Sequence, residues 1–422
     1  MPMACSGGGT RLQCLLPLFF AAGACASHFP PCPASAGPPW RELSSDHFRL
    51  RTDLQRDDAR ATLRELEDLR AALLRCFRAP VDLPTGRVPV IAVERGWSDF
   101  ARYRSEGFFT RTLFQPLIVL RAGDSVSRQE TIKHELVHYL SQRVIPVQPL
   151  WFAEGLASYF MTIEYDPDVH RITVGRPPES LLQVVRRGGL SDAEEMMAAT
   201  SVPPDDRGFF YATAWFMVHY LMNHQANALA AYSRALSRLP ARAAWAESFR
   251  GLTADALDTA MNVYRDGGEY ALLLYPFDPP TTRITEERML TDADVHATRA
   301  LLFALASRDG GAMLDEAGSR ELAKIRAHQE IHEVFQQEPS HLQAQAIEHW
   351  VLGAPTRLDE ARAVAKRNPT HWMAWALLAE ALREHQVEEG QAQAVSQALD
   401  LAEEDPAVEL RKLTIHRPLS QP

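Results

Sequence analysis

The stretch H-E-L-V-H at residues 134–138 combines two histidines four positions apart with a glutamate directly after the first. Residues four apart lie on the same face of a helix, so His134 and His138 can reach one metal ion. A catalytic zinc site commonly has three protein ligands and leaves a fourth place for water. Glu154 is the candidate third ligand, and Glu135 is the candidate general base that takes a proton from the activated water.

Two helices are needed to hold these side chains. Residues 128–142 contain no Pro or Gly and place apolar residues, Leu136 and Leu140 among them, at helical spacing. Pro146 and Pro149 interrupt the chain after this helix, and a second helix is predicted to begin near Leu150. The alternative is that the two histidines are ordinary core or surface residues of an amphipathic helix that binds no metal.

The two phrases together resemble a known family. H-E-L-V-H followed by W-F-A-E-G-L-A-S-Y at residues 151–159 is similar to the gluzincin metallopeptidases, in particular to the bacterial peptidase MA-like domains. The resemblance covers about residues 42–270. It implies a zinc peptidase in which a glutamate on a later helix is the third ligand. The metzincin pattern is excluded, because it requires Gly and His where this chain has Ser141 and Val144.

The resemblance also implies a residue that stabilises the oxyanion formed during hydrolysis. In similar proteins a tyrosine often opens the helix that follows the zinc helices, which nominates Tyr211, with His219 as the second candidate. The alternative is that Tyr211 is an ordinary half-buried aromatic residue. Some gluzincins carry an Asp four residues after the ligand Glu to brace a histidine; Ser158 stands there in this chain.

These observations predict a zinc-dependent metallopeptidase with one Zn²⁺ per chain. In this prediction His134, His138 and Glu154 bind the metal, Glu135 is the general base and Tyr211 stabilises the oxyanion. The substrate is expected to be a peptide or protein. Two other classes stay open: a catalytically silent binding protein with the same fold, and a scaffold that acts through the C-terminal region.

Composition adds only broad limits. A chain of 422 residues with 46% hydrophobic content can form two or three domains with real cores. The formal charge of −10 is spread over alternating acidic and basic residues, so it argues against nucleic acid as a partner.

The N-terminus is typical of an exported bacterial protein. Residues 1–25 resemble a signal peptide with a short apolar run that ends in Ala22-Gly23-Ala24-Cys25. Small residues before a cysteine resemble a lipoprotein signal, which would attach a lipid to Cys25; simple cleavage and secretion is the alternative. Residues 26–41 are rich in Pro and Ala and are expected to form a flexible spacer. The expected location is the cell envelope, periplasmic or lipid-anchored.

The cysteines fit this interpretation. If Cys25 carries a lipid, Cys32 and Cys76 remain in the mature chain. In an oxidising compartment they could form a disulfide, or they could both stay free thiols.

The fold predicted is an α+β, zincin-like metallopeptidase domain over residues 42–275, followed by an all-α domain of tetratricopeptide-like helical repeats over 285–410. Prolines at 276, 279 and 280 mark the boundary. Beyond it, prolines at 339, 369 and 406 recur at roughly the period of such repeats. An irregular helical bundle is the alternative. Helical repeats would offer a surface for a protein partner.

Overall fold

We describe a computed structural model that covers residues 29–80, 86–101, 106–113, 115–123, 126–203, 205–308 and 317–402. The predicted signal peptide, the lipid site at Cys25 and the proline at 406 lie outside these residues. Among the described residues, none of the helices combines the length and the apolar character needed to cross a membrane.

A mixed six-stranded sheet forms the centre of the molecule. Its strands, in the spatial order β4-β5-β3-β2-β1-β9, are β1 (Arg41–Ser44), β2 (Phe48–Thr52), β3 (Val88–Val93), β4 (Gly107–Thr112), β5 (Gln115–Arg121) and β9 (Glu286–Met289). The pairs β2–β3 and β3–β5 are parallel, and the other pairs are antiparallel. The sequence pattern predicts strands over residues 47–52, 88–93 and 117–120, which correspond to β2, β3 and β5. It does not predict the edge strands β4 and β9.

Helix α1 (Arg56–Phe77) connects the parallel strands β2 and β3. Parallel neighbours need such a crossover, because a tight turn cannot return the chain to the same end of the sheet. The helix buries its leucine stripe, including Leu66 and Leu73, against Leu50 of β2 and Val90 of β3. The spacing of the leucines in the sequence predicts a helix over residues 56–77, and these limits are confirmed.

The helices of the first face of the sheet share one apolar core with α1. They are α2 (Val126–Val144), α3 (Leu150–Phe160), α4 (Glu179–Gly188), α5 (Ala193–Ala198), α6 (Arg207–His224), α7 (Ala226–Ala235), α8 (Ala241–Ser248) and α9 (Ala254–Gly267). A small antiparallel sheet lies beside them, formed by β6 (Glu164–Asp166), β7 (Arg171–Val174) and β8 (Leu273–Pro276). We call the apolar residues between α1–α9 and the sheet the first core.

The opposite face of the sheet is covered by the C-terminal helices. They are α10 (Asp292–Arg308), α11 (Ala317–Gln337), α12 (Leu342–Ala346), which continues as a π-helical turn (Ile347–Val351), α13 (Leu358–Arg367), α14 (Trp372–Glu384) and α15 (Gln391–Leu401). Ile91, Val93 and Val119 of the sheet pack with Leu301 and Leu377 of these helices. We call this the second core.

The predicted boundary near residue 280 does not separate two independent units. Strand β9 lies beyond the prolines, yet it pairs with β1 and completes the sheet. Arg51 of β2 also donates hydrogen bonds to Thr298 of α10 and Gln343 of α12. At the prolines the chain passes from one face of the sheet to the other. A sheet that is buried on both faces needs helices from both halves of the chain.

The C-terminal helices include a short internal repeat. The triplet Pro339-Ser340-His341 directly precedes α12, and the similar triplet Pro369-Thr370-His371 directly precedes α14. In each triplet the histidine side chain accepts a hydrogen bond from a backbone N–H in the first turn of the helix that follows. The sequence pattern predicts helices over residues 368–382 and 390–402. The structure has α14 and α15 there, with the first helix beginning four residues later than predicted. A tetratricopeptide-like architecture stays a prediction.

The expectation of a flexible spacer over residues 26–41 is wrong from Phe29 onward. The Phe29 ring stacks on Phe100 at 5.7 Å and meets the edge of Phe303 at 5.7 Å. Trp40 is fully buried. The prolines stiffen the segment, but its aromatic side chains have a core to enter, and that core is assembled from residues distant in sequence.

The possible disulfide between Cys32 and Cys76 is also wrong. Both are free cysteines; Cys32 belongs to the second core and Cys76 packs against the first. The sheet stands between the two cores, so these thiols cannot meet.

A chain that is truncated after residue 280 should lose cooperative folding, because the truncation removes β9 and leaves the sheet residues of the second core exposed to water. The measurement is thermal unfolding followed by circular dichroism. Supplying residues 281–422 as a separate chain should restore part of the transition. If the truncated chain unfolds cooperatively at the same temperature as the full chain, the two halves are independent.

Candidate metal centre

Helix α2 presents the two histidines on one face. Val137 and Tyr139, on the other faces of the same turns, are fully buried in or beside the first core and fix the rotation of the helix. The side chain of His134 is 16% exposed to solvent, and that of His138 is 13% exposed. The histidines therefore lie at the edge of a packed region and stay partly open to solvent.

Helix α3 brings the third donor. The connection from α2 is short, and the side chain of Gln148 stabilises it by donating a hydrogen bond to the Ile145 carbonyl. Pro149 then precedes the first turn of α3 in an extended conformation. As a result, Glu154 lies one turn into α3 and faces the histidines of α2.

The three donor atoms form a nearly regular triangle. His134 Nε2 and His138 Nε2 are 3.1 Å apart. Glu154 Oε2 lies 3.4 Å from His134 Nε2 and 3.3 Å from His138 Nε2. Tetrahedral zinc with ligand bonds of about 2.0–2.1 Å separates its ligand atoms by about 3.3 Å. This is the one group among the described residues in which three such side chains could share a metal ion.

The Glu154 carboxylate is not satisfied by the protein alone. Its Oε2 atom is buried and makes no hydrogen bond of acceptable geometry, although both imidazoles are within ion-pair distance. The two imidazole Nε2 atoms lie within hydrogen-bond distance of each other instead. A buried acceptor without a partner is costly, and a cation at the centre of the triangle would remove that cost.

The electrostatics of the triangle favour a charged carboxylate. Burial opposes ionisation of Glu154, but the two histidines outweigh it and lower the pKa of Glu154 to about 2. Burial likewise opposes protonation of His138, while Glu154 and Glu135 raise the pKa of His138. Glu154 therefore stays negatively charged at neutral pH, which suits it to contact a metal cation.

Glu135 is half-buried beside the triangle and is not one of its corners. Its negative charge helps to raise the pKa of His138 and of Tyr211. A carboxylate next to a metal site, but not bound to the metal, is free to accept a proton.

Tyr211 reaches the same site from α6. Its ring lies 6.2 Å from the His134 ring in an edge-to-face arrangement. Burial, followed by the charges of Glu154 and Glu135, raises the pKa of the Tyr211 hydroxyl far above its usual range. Its phenol therefore stays protonated and remains a hydrogen-bond donor.

A glycine contact positions Tyr211. A Cβ atom on Gly155 of α3 would lie 2.4 Å from the Ala214 carbonyl oxygen and 2.6 Å from Val218 Cγ2 of α6. Ala214 follows Tyr211 by three residues, so both lie on the α6 face that meets α3. Gly155 directly follows Glu154, and the same close approach of the two helices brings Tyr211 to the metal ligands. The sequence analysis did not recognise this role of the glycine.

His219, the second candidate for the oxyanion role, lies elsewhere. It is fully buried, and its Nε2 donates a hydrogen bond to the Gly175 carbonyl at 2.9 Å. Its ring contacts aromatic residues of the first core, including Tyr159 and Trp215. Burial lowers the pKa of His219, which keeps it neutral. It is a core histidine with satisfied hydrogen bonds.

Ser158, where some similar proteins carry an aspartate, is buried in α3. It stands one turn after Glu154 on the face that also bears Gly155. A larger side chain there would have to fit between helices that already pack closely.

A comparison with known families locates one match. A family described as "Protein of unknown function (DUF1570)" matches residues 128–241. This range includes every residue of the candidate centre, from His134 to Tyr211, and omits all six strands of the central sheet and the whole second core. No curated protein matches the chain.

Gly155→Ala should lower the stability of the fold by about 1–3 kcal/mol, because the added methyl group forces α3 and α6 apart. It should also weaken metal binding. Gly318→Ala is the matched control: nothing lies within 4 Å of its added Cβ, and alanine favours a helix. Thermal unfolding and metal titration compare the two. If both variants show the same unfolding temperature and the same metal affinity, Gly155 is not needed for the close contact between α3 and α6.

Proposed function

We propose that this protein is an exported zinc-dependent metallopeptidase that binds one Zn²⁺ per chain. The observation that carries the proposal is the triangle of His134, His138 and Glu154, with its buried carboxylate oxygen lacking a hydrogen-bond partner. Two nitrogen donors and one oxygen donor form the ligand set of many catalytic zinc sites. The resemblance of the two sequence phrases to gluzincins supports the same proposal.

The protein residues have separate roles in this proposal. When bound, zinc supplies a Lewis acid that activates water and polarises the scissile carbonyl. Glu135 accepts the proton of the attacking water and then donates it to the leaving amine. Tyr211, which stays protonated, donates a hydrogen bond to the oxygen that becomes negative.

An edge strand offers a place for an extended peptide. Strand β4 is at the end of the six-stranded sheet next to α2, and its other edge has no neighbouring strand among the described residues. Phe109 of β4 packs near Tyr139 of α2 at 6.4 Å between ring centroids, which ties this edge to the metal helix. A peptide added along β4 would form main-chain hydrogen bonds and pass beside the metal centre. The substrate is therefore proposed to be an extended peptide or protein segment.

Location and partners belong to the same proposal. The signal-like N-terminus favours the bacterial cell envelope, with a lipid on Cys25 or simple release into the periplasm or beyond. The C-terminal helices could bind a protein partner, while the catalytic site would belong to the first core.

Zinc content tests the site directly. The purified chain should contain about one zinc ion, measured by elemental mass spectrometry, and His138→Ala should lose it. His332→Ala, which removes an exposed histidine of α11, is the control and should keep the metal. Absence of zinc from the native chain after loading would remove the basis of the proposal.

Glu135→Gln separates binding from catalysis. The variant should keep zinc, because Glu135 is not a ligand, and should lose cleavage of a mixed peptide library by at least about a hundredfold, because the general base is gone. Unchanged cleavage by Glu135→Gln would exclude this mechanism. A native chain that holds zinc but cleaves nothing would favour a silent binding protein.

Tyr211→Phe should keep the fold and the zinc but lose the hydroxyl donor. Removal of one such donor commonly costs about 10²–10³ in kcat, with little change in KM. Steady-state kinetics on any peptide selected from the library measures both constants. A change confined to KM would place Tyr211 in substrate binding.

A further inference from the structure

A cavity of about 410 Å³ lies between the six-stranded sheet and the C-terminal helices, on the side of the second core. This volume falls within the range of about 300–1,000 Å³ that is common for small-molecule sites. Glu286 of β9 and Glu338, which follows α11, line the cavity and are exposed, so the cavity opens to solvent. None of the residues of the candidate metal centre lines it. The cavity is therefore a separate candidate site.

The first row of paired residues that crosses the sheet at this cavity is balanced in charge. Glu42 of β1 is paired in register with Arg51 of β2 on one side and with Arg288 of β9 on the other. Its carboxylate accepts hydrogen bonds from both arginines, at 2.5 and 3.0 Å. Arg288 also donates a hydrogen bond to Asp294 of α10 at 2.8 Å. Two arginines and two carboxylates thus satisfy one another.

The second row contains an arginine without an acidic neighbour. Arg49 precedes Arg51 by two residues, so its side chain lies on the same face of the sheet. Its register partners are Ser44 of β1 and Pro89 of β3, and neither carries a charge. Within the described parts of the chain, no carboxylate forms an ion pair with Arg49 and its side chain makes no hydrogen bond. This half-buried guanidinium, which stays charged in proteins, lines the cavity unbalanced.

His371 provides a second hydrogen-bond donor in the cavity lining. Its Nδ1 atom accepts a hydrogen bond from the Met373 N–H at 3.2 Å, at the start of α14. Burial, followed by the charge of Arg49, lowers the pKa of His371 to about 4. The ring is therefore neutral at neutral pH, and its one proton is on Nε2 because Nδ1 is an acceptor. This N–H has no hydrogen-bond partner among the residues that the structure describes.

The rest of the lining includes apolar side chains from three elements of the second core. Ile91 of β3, Leu117 of β5 and Leu301 of α10 belong to this set. Trp372, the first residue of α14, lines the cavity too, and the positive end of a helix dipole favours an anion. A ligand that fits must therefore combine a negative group with an apolar body.

We propose that this cavity binds a small organic monocarboxylate with an apolar body. The carboxylate accepts hydrogen bonds from the guanidinium of Arg49, whose planar donors match two carboxylate oxygens, and from His371. The apolar body packs against the second core. Glu286 and Glu338 at the opening repel a second negative charge, which favours a monocarboxylate over a dicarboxylate. This inference does not depend on the proposed peptidase activity.

The first experiment titrates the full native chain with octanoate, followed by ligand-observed NMR, and compares three related probes. 1-Octanol lacks the charge and should bind at least about tenfold more weakly than octanoate. Octanedioate carries a second carboxylate and should bind about two- to fivefold more weakly. Butyrate has a shorter apolar chain and should bind at least about tenfold more weakly. Equal affinities for octanoate and 1-octanol would overturn the proposal.

The second experiment assigns the binding to Arg49. Arg49→Gln should weaken octanoate binding at least about tenfold, because it removes the positive charge that faces the carboxylate. Arg187→Gln is the matched control: it makes the same change of charge at an exposed arginine of α4, on the other face of the sheet, and should keep the affinity. Circular dichroism checks that both variants fold. If Arg49→Gln does not fold, the comparison of octanoate with 1-octanol on the native chain decides.

The candidate metal centre must be tested as a competing site, because a bound metal ion also attracts carboxylates. His138→Ala removes a proposed metal ligand and should leave octanoate binding unchanged, since the cavity lies on the opposite side of the sheet. Octanoate affinity that is lost in His138→Ala, or retained in a folded Arg49→Gln chain, would overturn the proposal. Zinc content is measured on the same samples, so failure of the carboxylate site and failure of the metal site are distinguished.

Discussion

Burial of the six-stranded sheet on both faces is the constraint on which the rest of the structure depends. A sheet whose strands alternate apolar and polar residues would leave one of its two faces in contact with water. Here residues of β3 point alternately into the first and the second core, and both faces are covered by helices. The first face needs the helices that carry the metal ligands, and the second needs the C-terminal helices. Neither half of the chain can therefore complete the sheet alone.

The covered faces also decide how charges are arranged. On the second face, Glu42 lies between Arg51 and Arg288 on neighbouring strands, at 2.5 and 3.0 Å. Burial opposes its ionisation, yet the two arginines lower the pKa of Glu42. Such buried pairs contribute little net stability against apolar residues, but they fix which strand lies beside which, since an unpaired charge there is expensive.

The candidate metal centre is a case in which the charges and polar atoms of the protein do not complete one another. Glu154 keeps a buried oxygen without a hydrogen-bond partner, so the protein atoms alone leave this oxygen unsatisfied. The donor atoms of His134, His138 and Glu154 lie close enough together that one metal ion could contact all three.

The sequence by itself determined the local elements of the site. Helix α1, strand β3 and the two helices that bear His134 and Glu154 follow from apolar spacing and prolines, because these signals act over a few residues. The pairing of the histidines with Glu154 could also be predicted, since it needs only two adjacent helices. Tertiary structure alone decided that Tyr211 and not His219 lies beside the candidate metal ligands, through a contact at Gly155 that no local pattern reveals. It also decided that β9 joins the sheet and that Cys32 meets His296, because residues more than 200 positions apart come together only when the sheet is covered on both faces.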